Sequence, residues 1–207
     1  MESGGAVLMA VIAANVLVSV LGFRAFRRGD TNPDEFLFIP HEVAEGRGGL
    51  GLLLSHLAHS DVLHLALNMW ALHSFAQPVI AILGGAWFLA IYCIAAVGSD
   101  LAIFTLRKDD PSYRCLGASG SVFGIMAAAI ILDPSITIVM FFIPAPLPGP
   151  LFMLGYAVVS MFLISRTKRY GVSHEGHLGG AVFGLAVTGL LSPRGLQPLF
   201  HWFRQWL

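Results

Sequence analysis

Gly117-Ala118-Ser119-Gly120-Ser121-Val122-Phe123-Gly124-Ile125-Met126-Ala127-Ala128-Ala129-Ile130-Ile131-Leu132 is uncharged, opens on glycine and serine, and is bounded by charge on both sides. Arg107-Lys108-Asp109-Asp110-Pro111 stands before it and Asp133-Pro134 comes after it. Such a run reads as a helix inside lipid, shorter than the roughly 20 residues of a full span. Working outward, similar runs extend from about Ala86 to Leu106, Asp61 to Ile82 and Ala6 to Phe23 on one side, and from Leu151 to Ile164 and His177 to Leu191 on the other. Ile136 to Phe142 is apolar and β-branched but too short to span, and Pro144, Pro146, Pro148 and Pro150 interrupt the next stretch, since proline lacks the amide a helix interior uses.

Composition agrees with a lipid solvent. Of 207 residues, 56% are hydrophobic and 12% charged, about half the charge of an ordinary soluble domain, and mean hydropathy is +0.75. Twelve basic and twelve acidic residues cancel, so no basic field exists to hold nucleic acid. Backbone groups in lipid must pair within a helix or a closed barrel, and no alternating strand pattern supports a barrel. The expected fold is therefore an all-α polytopic membrane protein, a six-transmembrane-helix bundle in one domain covering 1–207. Its core runs from about 6 to 192, and 193–207 forms a short interfacial tail in which Trp202, Arg204 and Trp206 suit a membrane surface. Ala6–Phe23 has no basic stretch before it, which favours a span over a cleaved leader. No internal repeat argues for a transporter. Cys93 and Cys115 give no compartment.

Polar groups inside a membrane are functional candidates, and three clusters qualify: His56, His59, His64 and Asn68; Gly117-Ala118-Ser119-Gly120; and Ser173-His174-Glu175-Gly176-His177-Leu178-Gly179-Gly180. The loops after the first, third and fifth runs share one side of the membrane. Ser119, His177, His64 and Asn68 all lie in the first turns of runs that start from that side, so they share a depth. A serine, a histidine base and donors for an oxyanion are the parts of an acyl-transfer site. His174 competes with His177 for the role of base, and the glycines after His177 favour it. Gly120 with Gly124, and Gly176 with Gly180 and Gly184, are spaced for close helix approach. His56 and His59 are expected to brace the start of the second run, and Asp100 to partner one of them. His174 and His177 are three apart, which is not the H-E-x-x-H spacing of a zinc protease; no metal and no cofactor is expected.

Gly117-Ala118-Ser119-Gly120 on the fourth run, His64-x-x-x-Asn68 on the second and His177-Leu178-Gly179-Gly180 on the sixth together resemble the rhomboid intramembrane serine proteases, in flavour the mitochondrial presenilin-associated subgroup. The resemblance implies a rhomboid-like bundle and an endopeptidase that cleaves transmembrane segments of other membrane proteins. It also implies a Ser119–His177 dyad with no acid, an oxyanion site from His64, Asn68 and the Ser119 amide, and support from Gly117, Gly120 and Phe123, the last packed on the His177 imidazole. A catalytically silent rhomboid-like chaperone that binds clients is the alternative, and the presence of both Ser119 and His177 argues against it. The expected partners are transmembrane protein substrates and the lipid bilayer; oligomeric state is open. The loop after the first run lacks the Trp-Arg pair of many bacterial members, and no seventh run precedes the core as in many mitochondrial relatives. A bacterial-type cell membrane is therefore expected, with an organelle membrane as the alternative. Ten of the twelve Lys and Arg residues lie after runs one, three and five: Arg24, Arg27, Arg28, Arg47, Arg107, Lys108, Arg114, Arg166, Lys168 and Arg169. Positive charge stays inside, which turns the mouth toward cytoplasm or matrix.

Overall fold

The computed structural model describes residues 2–28, 31–140, 143–164 and 172–205. Asp30, Phe142, the fifth run's stop at Arg166, Lys168 and Arg169, and Trp206 of the tail lie outside them. The six runs become α1 (Glu2–Arg28), α4 (Val62–Leu83), α5 (Gly85–Arg107), α6 (Ser119–Leu132), α7 (Gly149–Ile164) and α8 (His174–Leu191). α1 outlasts its apolar run because Arg24, Arg27 and Arg28 occupy its last turns, where cations favour the negative end of the helix dipole. The loop after α1 carries two short helices, α2 (Pro40–Ala44) and α3 (Gly49–Leu54), and α9 (Gln197–Arg204) comes after α8.

Caps set the ends. The Asp61 carboxylate accepts the His64 N–H at 2.8 Å and starts α4, satisfying a donor that has no partner inside the helix. Ser173 accepts the Gly176 N–H at 3.2 Å and starts α8. Between α4 and α5 a single Gly84 turns the chain with φ of +91°, a conformation that costs other residues a clash.

The expected absence of strands meets one exception. β1 (Thr137–Met140) pairs antiparallel with β2 (Ile143–Pro148), with Thr137 opposite Pro148 and Ile138 opposite Leu147. Proline at every second position of β2 ends helical propagation, yet is tolerated in a two-stranded ribbon, where alternate amides point away from the partner.

α6 is the centre. Eleven of its fourteen residues are buried, from Gly120 to Ile131, and it packs against α4, α5 and α8. At 1.5 Å per residue it spans about 21 Å, short of a hydrocarbon core of roughly 30 Å. Among the described residues, three helices are long and apolar enough to cross a membrane: α1 from Gly4, α4 and α5. α6 and α7 are shorter apolar helices, and α8 opens on polar His174-Glu175. A short helix is permissible at the centre because protein, not lipid, surrounds its ends.

Glycines set the spacing. A Cβ on Gly180 would collide with the Gly120 carbonyl, and one on Gly184 with that of Gly124, so α6 and α8 touch backbone to backbone. The outer helices turn large apolar side chains outward, among them Leu17, Trp70, Val97 and Leu154. A belt of this kind fits a lipid-facing surface and not a water-facing one.

Candidate active site

α6 begins at Ser119 because Gly117 allows it. Gly117 has φ of +126°, and a Cβ there would meet the His64 ring at 2.9–3.0 Å. The Gly117 N–H donates to the Ser55 carbonyl at 2.8 Å. Just upstream, Phe38 and Cys115 exchange two backbone hydrogen bonds of 2.8 and 3.1 Å, pinning the loop after α1 to the loop after α5. Entry into α6 is thereby held from both sides, and the hydroxyl of its first residue faces α8.

There it meets His177. Ser119 Oγ lies 2.6 Å from His177 Nε2. The other ring nitrogen, Nδ1, lies 2.6 Å from the Tyr156 hydroxyl on α7. Phe123, one turn beyond Ser119, stacks on the imidazole with centroids 4.4 Å apart and planes at 18°, and on the Tyr156 ring, also at 4.4 Å. His177 is 9% exposed. Of the two histidines weighed from sequence, His177 makes the serine contact, while His174 tilts against Tyr156 at 6.5 Å.

The His64 ring borders Gly117, and the position of a Gly117 Cβ would be 3.8 Å from Ser119 Oγ. Its Nδ1 is 3.1 Å from Ser60 Oγ, and Ser60 donates to the Asp61 carboxylate at 2.8 Å. A hydroxyl that gives its proton to a carboxylate receives the Nδ1–H of His64. Asn68 is buried and donates to the His64 carbonyl at 3.0 Å, so one of its two amide hydrogens is used within α4. The first amides of α6, starting with that of Ser119, have no acceptor inside the helix. A cavity of about 30 Å³ touches Ser119, His177, Ser99 and His56, room for about one water.

His59 meets the start of α4 through its ring, edge-on to His64 at 4.9 Å, and its hydrogen bonds go elsewhere. Its Nδ1 meets Ser19 Oγ of α1 at 2.9 Å, and Ser19 donates onward to the Leu57 carbonyl at 3.0 Å. Its Nε2 accepts the Ala118 N–H at 3.4 Å. The bonds fix one neutral tautomer, and burial, with His64 adding, lowers its pKa to about 4. The start of α4 is capped instead by Asp61, whose carboxyl is held below its usual range by the His64 N–H and then Ser60. Asp100 partners His56 at 2.8 Å.

Two features escaped sequence reading. Tyr156 sits in an otherwise mostly apolar run, and its phenol was a signal by the rule that polar groups in spans are suspect. Glu175, fully buried, pairs with Arg107 at 2.6 Å, and Arg107 also donates to the Ile164 carbonyl at 2.8 Å. One guanidinium thus ties the ends of α5 and α7 to the first turn of α8.

Residues 47–194 match the family model of the rhomboid domain. The human mitochondrial presenilin-associated rhomboid-like protein is 29% identical over 190 residues, covering 89% of this chain and 48% of the relative. Yeast mitochondrial rhomboid protein 1, from Saccharomyces cerevisiae, is 29% identical over 168 residues, covering 74% of this chain and 47% of its own. The mitochondrial RHOMBOID-like protein 12 of Arabidopsis thaliana is 28% identical over 147 residues, covering 63% of this chain and 43% of its own. The chain spans about half the length of these curated relatives, and no solved structure matches it. With helices apolar and long enough to cross a bilayer and a family model over most of its length, this integral membrane protein belongs to the rhomboid family.

Proposed function

We propose that this chain is an intramembrane serine endopeptidase that cleaves transmembrane segments of other membrane proteins. The observation that carries the reading is the 2.6 Å contact between Ser119 Oγ and His177 Nε2 at the start of α6. A serine hydroxyl attacks a carbonyl only if a base takes its proton, and an imidazole at hydrogen-bond distance is that base.

A substrate segment first unwinds locally, because helical carbonyls are occupied by internal hydrogen bonds. Ser119 Oγ bonds to the exposed carbonyl carbon while its proton moves to His177 Nε2. The negative oxygen is received by the Ser119 amide, with His64 and Asn68 as further donors. The C–N bond then breaks, and Nε2 passes its proton to the leaving amine. A water from the polar mouth gives a proton to Nε2 and its hydroxyl to the acyl carbon, and Ser119 leaves with the proton restored. For His64 to donate, the ring nitrogen that borders Gly117 must carry a proton while the oxyanion is present.

The relatives' mitochondrial names fit an organelle membrane, and a bacterial-type cell membrane has no support among them. The test is cleavage of a generic transmembrane substrate by purified protein in liposomes, comparing wild type with Ser119→Ala and His177→Ala. Loss of cleavage in both supports the reading. Folded wild type that cleaves no substrate would shift it to the silent client-binding alternative, and cleavage surviving in Ser119→Ala would remove the serine mechanism.

A further inference from the structure

A neutral imidazole holds one proton on either nitrogen, and only one arrangement serves Ser119. If the proton sits on Nε2, His177 donates to Ser119 Oγ and cannot take its proton. If it sits on Nδ1, the Nε2 lone pair faces the hydroxyl. Whatever meets Nδ1 therefore decides what fraction of the protein is ready to react.

The group that meets it is Tyr156. Its hydroxyl is 2.6 Å from Nδ1, and its ring is tilted 34° to the imidazole with centroids 6.1 Å apart, an edge-to-edge approach suited to a hydrogen bond in the imidazole plane. Phe123 stacks on both rings at 4.4 Å and Phe152 flanks Tyr156 at 6.2 Å, so both ring planes are braced. The residue is on α7, apart from the helices that carry Ser119 and His177.

We propose that Tyr156 is a positioning residue, the third member of the Ser119–His177 group, whose phenolic oxygen accepts the Nδ1–H and holds the imidazole in the productive tautomer. This rests on the endopeptidase reading for its consequence in catalysis but not for the tautomer itself. A carboxylate performs this task in water-soluble serine hydrolases. In a bundle surrounded by lipid an extra buried charge is expensive, whereas a phenol supplies an acceptor with no charge to desolvate. The same oxygen accepts the Nδ1–H of the imidazolium once Ser119 has given up its proton, and the phenol keeps its own proton throughout.

Protein labelled with nitrogen-15 histidine, with the His177 signals assigned by comparison with His177→Gln, reads the tautomer directly. Wild type is expected to carry the proton on Nδ1 with Nε2 bare, and Tyr156→Phe, which keeps the ring stack, to show both tautomers. Wild type protonated on Nε2, or the same tautomer populations in Tyr156→Phe, overturns the proposal. In cleavage assays Tyr156→Phe is expected to lower kcat about five- to tenfold with KM unchanged, the loss of one neutral hydrogen bond; an unaltered kcat in folded Tyr156→Phe also overturns it. A wild type that cleaves nothing, yet shows Nδ1–H in a Tyr156-dependent way, counts against the endopeptidase reading and for the tautomer role.

Discussion

His59 is completely buried and has both ring nitrogens occupied, one by Ser19 and one by the Ala118 amide. A second proton on this ring would face an N–H that is already donating, so burial and geometry oppose charge together. The pKa is about 4 in the folded protein against 6.5 for an ordinary histidine, so the unfolded chain binds the extra proton first. Stability is therefore fully present above about pH 6.5 and lost as pH falls toward 4, by about 3 kcal/mol over the interval. The melting temperature of detergent-solubilised protein should fall over that range, and His59→Gln should flatten the slope. An equal slope in both would assign the acid sensitivity to other groups.

At the scale of elements, two contacts hold α8 where His177 meets Ser119. The first is the glycine seam with α6, where Gly180 and Gly184 lie on the Gly120 and Gly124 carbonyls. Gly180→Val should push the helices apart and destabilise by about 1–3 kcal/mol, the usual cost of overpacking, and cleavage should fall with it. By contrast, Gly155 in the middle of α7 has open space around it, and Gly155→Ala should raise the melting temperature slightly, since alanine is favoured over glycine by up to about 1 kcal/mol inside a helix. The second contact is Arg107–Glu175. Arg107→Met would leave a fully buried carboxylate without its cation, which costs about 3–5 kcal/mol when one partner of a buried pair is removed. Arg107→Met paired with Glu175→Gln should recover much of that loss, because the remaining group is neutral. Thermal unfolding of the single and double variants in detergent checks both.

The whole molecule is organised around a helix too short to cross a bilayer. α6 is enclosed by α4, α5 and α8, and its first residue is only partly exposed. The loops after α1 and α5 lie at the Ser119 end of α6, while α9 lies by the far end, where Leu132 and Asp133 share a groove with Trp202 and Arg204. In the sequence, ten of the twelve basic residues lie at the ends of the first, third and fifth runs or in the segments that come after them. Charge asymmetry of this size predicts that the mouth faces the cytoplasm or matrix and that the carboxyl terminus lies on the opposite side. A reporter fused after residue 207 tests this directly; reporter activity on the cytoplasmic or matrix side would reverse the orientation.

Helical periodicity was never needed to find the six runs, because lipid demands long uncharged stretches and charge marks their ends. The meeting of Ser119 with His177, and of His64 with Gly117 beside them, was also legible, since alternate runs must start from the same side of the membrane. The hairpin at 137–148 was half legible, its prolines excluding a helix without stating what replaced it. Long-range pairings were out of reach. Nothing in the spacing says that Tyr156 meets the Nδ1 of His177 or that Arg107 meets Glu175, because each pair joins helices whose rotation is set by packing. His59 sits edge-on to His64 of the nearest helix, but its hydrogen bonds go to α1 and to the Ala118 amide before α6, since a loop side chain bonds to whatever the fold brings near. Sequence by itself determined the solvent, the runs and which of their ends share a side, because these depend on transfer free energy and chain order. Only the tertiary structure decided which faces meet, because that depends on where glycine lets two backbones touch.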